Sequence, residues 1–271
     1  MPTVTFDHAT LRAIQSRHGV EHDPWLWEEK LSDIGCVVEE CDSNEIEIEI
    51  FPDRADLLSP ETISHAARAF LHGKGAEPEL STMDGSITMS VDASLAHVRP
   101  IIYGAVVRGV DNGSTPEEND AFIQALMDHQ EKLHFSIGRR RRRASIGVHD
   151  LSTLAPPFKV ITVPETYSFI PLAMTERMSI REILESHPKG VDYAHLLEGF
   201  SEFPVIVDAA DRVLSFPPII NGDHTTVTHG TTDFFVDVTG WDERACEASL
   251  MLVCLQLAQR GGAVQSVEVI T

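Results

Sequence analysis

The chain has 271 residues, more than one average domain, with 42% hydrophobic and 23% charged side chains, a composition that excludes a disordered or fibrous polypeptide. Its 42 acidic against 21 basic residues give a net charge of −21, which argues against long-range attraction of nucleic acid unless the protein works in concentrated salt. Salt adaptation, a halophilic setting in which charges are screened within about 3 Å at 1 M, is the expectation, and under it an RNA partner stays possible. Nothing in the sequence reaches the roughly 18 to 20 apolar residues needed to cross a bilayer, and the start lacks the order of a signal peptide; a cytoplasmic location with no membrane partner is expected.

In chain order, Asp23-Pro24 before Trp25, Trp27, Leu31 and Ile34 reads as an N-cap, a proline at the first helical position and an apolar stripe, stopped at Gly35. Glu45 to Ile50 alternates strictly and predicts a strand with one wet and one buried face. Ser59-Pro60-Glu61 opens a second helix that ends near Gly73, so the first 75 or so residues alternate helix and strand. The polar stretch from Gly73 to Gly85 predicts a boundary, dividing the chain into residues 1–83 and 84–271.

Beyond it, Tyr103–Val107 predicts a buried strand, Asp111–Ser114 a turn, and Glu118 to Ile137 a helix ending at Gly138. Strands are predicted at Ala144–Val148, Lys159–Val163, Val205–Val207, Val213–Phe216 and Phe234–Val238. The Ser179-Ile180-Arg181-Glu182 capping box starts a short helix, and Glu243 to Arg260 forms a longer one closed by Gly261-Gly262. Strands and helices mixed without regular alternation argue for an α+β fold.

Cys36, Cys41, Cys246 and Cys254 lack zinc spacing and are expected to be free, buried thiols. His149-Asp150 has no Gly-x-Ser-x-Gly partner, and His224 and His229 stand five apart without a third ligand type, so neither a hydrolase triad nor a metal site is expected. The run Arg139, Arg140, Arg141, Arg142, Arg143 has two readings: contacts to phosphates, or a solvated loop answering a helix dipole. In Phe234–Gly240 the two-residue period puts Asp237 and Thr239 on one face, either exposed or in a pocket.

These segments resemble one family. Phe51-Pro52-Asp53-Arg54-Ala55-Asp56-Leu57-Leu58-Ser59, Gln130–His134, Gly138 with its arginines, Ile146–Leu151, His195–Phe200, Leu214–Asn221 and Asp237–Gly240 are similar, in order, to phenylalanyl-tRNA synthetase beta subunits of the archaeal and eukaryotic type. The resemblance implies a small N-terminal B1-like domain of mixed α/β structure and a larger B3/B4 domain that hydrolyses tyrosine from mischarged tRNA-Phe. A synthetic pocket for phenylalanine rejects an analogue with one added hydroxyl poorly, so a second site that requires that hydroxyl is needed.

Carried over residue by residue, Ser215, Asp237 and Thr239 form the polar, catalytic side. Leu197, Phe200, Pro217, Pro218 and Asn221 shape the cleft, and Arg139 to Arg143 contact tRNA. The implied partners are tRNA-Phe carrying tyrosine and the synthetase alpha subunit. No cofactor is implied for editing; ATP and Mg2+ belong to the full synthetase. The family's beta subunit continues for a comparable length, so ligation by these residues alone is not expected. The competing reading is a non-catalytic subunit- or RNA-docking module.

Overall fold

The computed structural model describes residues 2–73 and 80–271. The first unit runs β1 (Thr3–Asp7), α1 (His8–Arg17), α2 (Pro24–Lys30), β2 (Cys36–Cys41), β3 (Glu45–Ile50) and α3 (Pro60–His72). The caps read from sequence are in place: Asp23 accepts from Trp25 and Leu26, Ser59 accepts from Thr62, and Gly35 and Gly73 adopt left-handed backbone at the helix ends. β3 is the middle of the antiparallel sheet β1-β3-β2, which turns Ile46, Ile48 and Ile50 inward and leaves its glutamates on the wetter face. Part of the expected boundary, residues 74–79, lies outside the described residues.

The second unit contains β4 (Thr82–Met83), β5 (Thr88–Val91), β6 (Ile101–Arg108), α4 (Pro116–Phe135), β7 (Ala144–Asp150), β8 (Phe158–Pro164), β9 (Ser168–Phe169) and β10 (Met178–Ser179). It continues through α5 (Ile180–Ser186), α6 (Pro188–Tyr193), β11 (Glu202–Val207), β12 (Val213–Phe216), β13 (Ile220–Asn221), β14 (Phe234–Gly240), α7 (Glu243–Ala258), β15 (Ala263–Ser266) and β16 (Glu268–Ile270). Helix α4 starts two residues before the expected Glu118 because Thr115 caps it and Pro116 opens it. It also stops short of Ile137, since Ser136 has already left helical geometry.

Two sheets stack here. A five-stranded sheet, β4-β15-β6-β14-β7, buries Phe234, Val236 and Val238 under α4 and α7, while Phe235 on its other face meets Phe158, Ile206 and Leu214 of a six-stranded sheet, β13-β12-β11-β8-β5-β16. The outer face of that second sheet is covered by α5, through Ile180 and Ile183. The α+β expectation holds. Cys36, Cys246 and Cys254 are buried free thiols, but Cys41 is half-buried because β2 is an edge strand. No described helix is long and apolar enough to cross a membrane.

The first unit shares a core with the second: Leu57, Ile63 and Ala67 belong to the same apolar cluster as Phe122, Val253 and Leu257. A buried polar chain crosses the same seam. His129 of α4 bonds Gln256 at 2.7 Å, Gln256 donates to Glu61 of α3 at 3.0 Å, and Arg260 donates to the other Glu61 oxygen at 2.6 Å. The ion pair is enclosed, so its worth lies in the fit of both partners rather than in bare attraction.

Two buried histidines make the fold acid-sensitive. Burial pushes His129 and His134 down to about 4, and the His134 ring accepts the Ile146 backbone N–H at 2.8 Å, a bond that requires an unprotonated Nε2. The folded pKa of each lies below the ordinary value near 6.5, so between those limits the unfolded chain binds more protons and stability falls as pH falls. Each histidine is expected to contribute a slope of up to about 1.4 kcal/mol per pH unit across that window. Denaturant unfolding from pH 7 to pH 4.5 should therefore be steeper for the native chain than for His134→Gln, whose amide oxygen keeps the acceptor; equal slopes would refute the assignment.

Candidate functional site

The two sheets separate at one end, where edge strands β7 and β13 face each other, and a cavity of about 280 Å³ forms between them and α4. Its walls include Gly147 and Val148 of β7, Asp237 of β14, Ser215 of β12, Pro217 and Pro218 of the β12–β13 turn, Asn221 of β13, and Ile123 and Met127 of α4. This volume lies at the lower end of ligand sites, which run from about 300 to 1,000 Å³, and suits one side chain rather than a peptide.

Asp237 is 1% exposed. Its register explains how a carboxylate is accommodated so deep: on β14 it stands between Gly104 of β6 and Gly147 of β7. A Cβ on Gly147 would sit 2.0 Å from Asp237 Oδ2 and 2.7 Å from His149 Nε2, so only glycine leaves the carboxylate its room. His149, two residues further along β7, stacks on Phe235 and meets Asp237 Oδ2 at 2.7 Å through Nε2.

The other ring nitrogen of His149 lies 2.9 Å from the Thr225 hydroxyl, which is itself 2.9 Å from Gly222 O. A neutral His149 accepts at Nδ1 from Thr225, and a charged one donates to Thr225 while that hydroxyl turns to Gly222 O. In either state Nε2–H donates to Asp237. Oδ2 is therefore occupied, whereas Oδ1 receives no hydrogen bond among the described residues and belongs to a side chain on the cavity wall. The Ser215 hydroxyl, on the same wall and 3% exposed, likewise has no hydrogen-bond partner among them.

The arginine run divides. Arg141 is buried, donates to Pro218 O at 3.1 Å, Ile219 O at 2.8 Å and Glu131 at 2.6 Å, and lies 4.4 Å from the Tyr193 ring, so it braces the prolyl turn instead of facing solvent. Arg139, Arg140, Arg142 and Arg143 are exposed. Glu131, beside Arg141, is held well below the usual carboxylate range by the His134 ring, whose Nδ1 lies 3.5 Å away, and by the Arg141 and Lys189 charges.

Thr239 shares Asp237's face but lies beyond the cavity wall. Its hydroxyl accepts from Arg99 Nε at 2.7 Å and meets Ser145 at 3.1 Å, which makes it part of the support rather than of the surface. Arg99 also donates to the Arg141 and Thr239 carbonyls at 3.1 and 2.9 Å, and burial pushes it down to about 10, still charged at neutral pH. Arg99→Met is expected to destabilise the chain by about 2–4 kcal/mol by leaving the Arg141 carbonyl and the Thr239 hydroxyl without that donor. Denaturant unfolding would measure this, and a loss under 1 kcal/mol would count against the brace.

Leu197 is buried in the core behind the six-stranded sheet, and Phe200 lines a separate, larger cleft with the exposed arginines. The structure thus gathers Ser215, Asp237, Pro217, Pro218 and Asn221 at one cavity and sets Thr239, Leu197, Phe200 and four of the arginines outside it. His149, Thr225 and Gly147 were not among the sequence candidates. A glycine inside a strand was the available signal for Gly147, whereas His149 and Asp237 are 88 positions apart and only the sheet order joins them. Among the described residues no group of three or more His, Cys, Asp or Glu side chains is placed to hold a metal ion.

Residues 98–255 match the family described as B3/4 domain. The phenylalanine–tRNA ligase beta subunit of Methanothrix thermoacetophila is 50% identical over 227 residues, covering 83% of this chain and 41% of that protein. That of Methanosarcina acetivorans is 42% identical over 270 residues, covering 100% and 47%, and that of Natronomonas pharaonis 36% identical, covering 99% and 48%. The crystal structure of an N-terminal fragment of the phenylalanyl-tRNA synthetase beta subunit from Pyrococcus horikoshii superposes with a TM-score of 0.89 at 29% identity, covering 99% of this chain and 77% of that one. The chain spans less than half the length of these three sequence relatives.

Proposed function

Because the chain belongs to the phenylalanine–tRNA ligase beta-subunit family, through a B3/4 domain spanning residues 98–255, we propose that its cavity is an editing site that hydrolyses tyrosine from mischarged tRNA-Phe. The observation that carries the reading is Asp237, a carboxylate 1% exposed with one oxygen held by His149 and no hydrogen bond from a described residue to the other. An acceptor enclosed at an apolar wall calls for a donor, and the phenol O–H of tyrosine supplies one where phenylalanine has none. Ser215, whose hydroxyl donates or accepts, stands ready for the remainder of the substrate.

In the reaction a water oxygen bonds to the tyrosyl carbonyl carbon, the ester bond to the terminal ribose oxygen breaks, and that oxygen takes up a proton, leaving free tyrosine and uncharged tRNA. Backbone N–H groups and the neighbouring ribose hydroxyl are the expected stabilisers of the oxyanion. Editing on this reading needs no cofactor; ATP and Mg2+ serve only ligation, which involves the alpha subunit and beta-subunit regions outside this chain. The setting is the cytoplasm, where tRNA is charged.

The test is hydrolysis of tyrosyl-tRNA-Phe and phenylalanyl-tRNA-Phe by the purified chain in concentrated potassium chloride. Faster loss of the tyrosyl ester supports editing. Equal loss of both, or of neither in the presence of the alpha subunit and the remaining beta domains, removes the reading. Docking as a second role rests on a separate feature, an apolar groove where Phe51 and Pro52 of the first unit meet Phe135, which is 64% exposed.

A further inference from the structure

Among the described residues that line the cavity, the charged ones are Glu131, Arg141, Lys189 and Asp237, and three of them are engaged. Arg141 directs its donors to Pro218 O, Ile219 O and Glu131, and His149 holds one oxygen of Asp237. Lys189 is the exception. Its ammonium lies 3.6 Å from Glu131 Oε1, near enough to be kept at the wall and too far for a hydrogen bond, and no described residue accepts from it.

Local chemistry brings Lys189 to this place. Pro188 opens α6, and the His187 ring caps it by accepting from Lys189 N at 3.2 Å, so the lysine backbone is fixed in the first turn. Gly190 lets α6 lie against α5, because a Cβ there would meet Ile183 O at 1.7 Å. Tyr193 of α6 packs its ring on the Arg141 guanidinium, which ties the helix to the cavity wall. The two ends of the cavity therefore differ. Asp237 is buried, whereas the side chains of Lys189 and Glu131 are 43% and 47% exposed at the solvent end. A tyrosyl ester whose phenol meets Asp237 leaves its carbonyl group toward that end, where the tRNA is attached.

We infer that Lys189 is a catalytic residue of ester hydrolysis, its ammonium bonding the carbonyl oxygen as that oxygen becomes an anion. The inference rests on the editing reading and adds a full charge to the backbone and ribose donors. Attack of a water oxygen on the carbonyl carbon moves the C=O π pair onto the carbonyl oxygen. When the pair returns, the bond to the ribose oxygen breaks and that oxygen takes one proton of the water; the other passes to solvent and tyrosine leaves as a carboxylate. Lys189 keeps its protons throughout and supplies charge alone, which counts for most where the charge on the oxygen is largest. Glu131, held ionised, binds a proton too weakly to serve as the base and is a positioning residue for Lys189. The contact is direct, so concentrated salt, which screens beyond about 3 Å at 1 M, weakens it little.

Kinetics of tyrosyl- and phenylalanyl-tRNA-Phe hydrolysis test this. Lys189→Met is expected to lower kcat about ten- to a hundredfold on both esters, less than an enclosed donor would because the ammonium is half exposed. KM should stay within about twofold, and the ratio of tyrosyl to phenylalanyl hydrolysis should not change. Lys189→Arg should keep most of the rate, and Lys159→Met, at an exposed position of β8 away from the cavity, all of it. A native kcat in Lys189→Met, a loss confined to KM, or an arginine variant no faster than the methionine one overturns the inference.

Binding gives a readout independent of turnover. The phosphonate analogue of tyrosine carries anionic oxygens where the tetrahedral oxyanion forms, and calorimetry should show the native chain preferring it to tyrosinamide by about tenfold. That preference should vanish in Lys189→Met and persist in Asp237→Ala. Hydrolysis and phosphonate binding that are both native in Lys189→Met would sink the role of Lys189 alone. A phosphonate preference that depends on Lys189 in a chain hydrolysing neither ester would sink the editing reading, with the contact of Lys189 to an anionic head group left standing.

Discussion

Asp237→Ala should lose at least about a hundredfold of its kcat/KM on tyrosyl-tRNA-Phe while its slow hydrolysis of phenylalanyl-tRNA-Phe stays where it was. The size follows from the role proposed for the carboxylate. A site built to bond a substrate hydroxyl rejects the analogue lacking it by factors of about 10⁴ to 10⁵, because the buried group is otherwise left unmatched. Removing the acceptor removes that discrimination and leaves apolar contact, which both side chains share.

Asp237→Asn refines the test. His149 Nε2–H fixes which amide atom it faces, drawing the Asn oxygen toward itself, so the amide NH2 turns to the cavity. The group facing the substrate changes from acceptor to donor, to which a phenol oxygen can still bond. Activity between the native chain and Asp237→Ala is expected. If the ratio of tyrosyl to phenylalanyl hydrolysis is the same in all three proteins, Asp237 does not read the hydroxyl.

Gly147→Ala is expected to be nearly as damaging to tyrosyl hydrolysis as Asp237→Ala, with a stability loss of about 1–3 kcal/mol from overpacking. The added methyl meets the carboxylate and the imidazole together, at 2.0 and 2.7 Å, and the obstruction is not the end of a flexible surface chain but a buried bonded pair. Either Asp237 turns into the cavity or β7 moves off β14. Gly104 provides the internal comparison. It flanks Asp237 on the other side, yet a Cβ there finds its nearest atoms at 3.4 Å, ordinary contact. Gly104→Ala should keep most of the activity. Equal losses in the two variants would mean that strand pairing alone was disturbed and that the space beside Asp237 has no special role.

Local chemistry made much of the fold legible. The Glu45–Ile50 alternation, the proline-opened helices at Asp23 and Ser59 and the capping box at Ser179 each carry their own signal and appear where their residues require. The bounds of α4 lay in local capping rather than in the apolar stripe, since Thr115 and Ser136 decide them by short polar contacts three and four residues along the chain.

The site was legible by face and not by depth. Period two puts Asp237 and Thr239 on the same side of β14, and they are there, but the sheet carries that side from the cavity at Asp237 to the Arg99 brace at Thr239. The arginine run was ambiguous for a related reason. Five like residues give no hint that a left-handed backbone turns Arg141 inward alone. His149 reaches Asp237 only through the pairing of β7 with β14, which no short motif encodes.

The seam between the two units bears on inheritance. Glu61 belongs to the first unit, while its partners Gln256 and Arg260 lie at the far end of the second. A recombination or gene division near residue 83 would hand one descendant a buried carboxylate without its cation and the other a buried guanidinium without its acid, on apolar surfaces newly exposed to water. Neither piece would travel well by itself. The cavity around Asp237 is built wholly from the second unit, yet the module that can be passed on intact includes both.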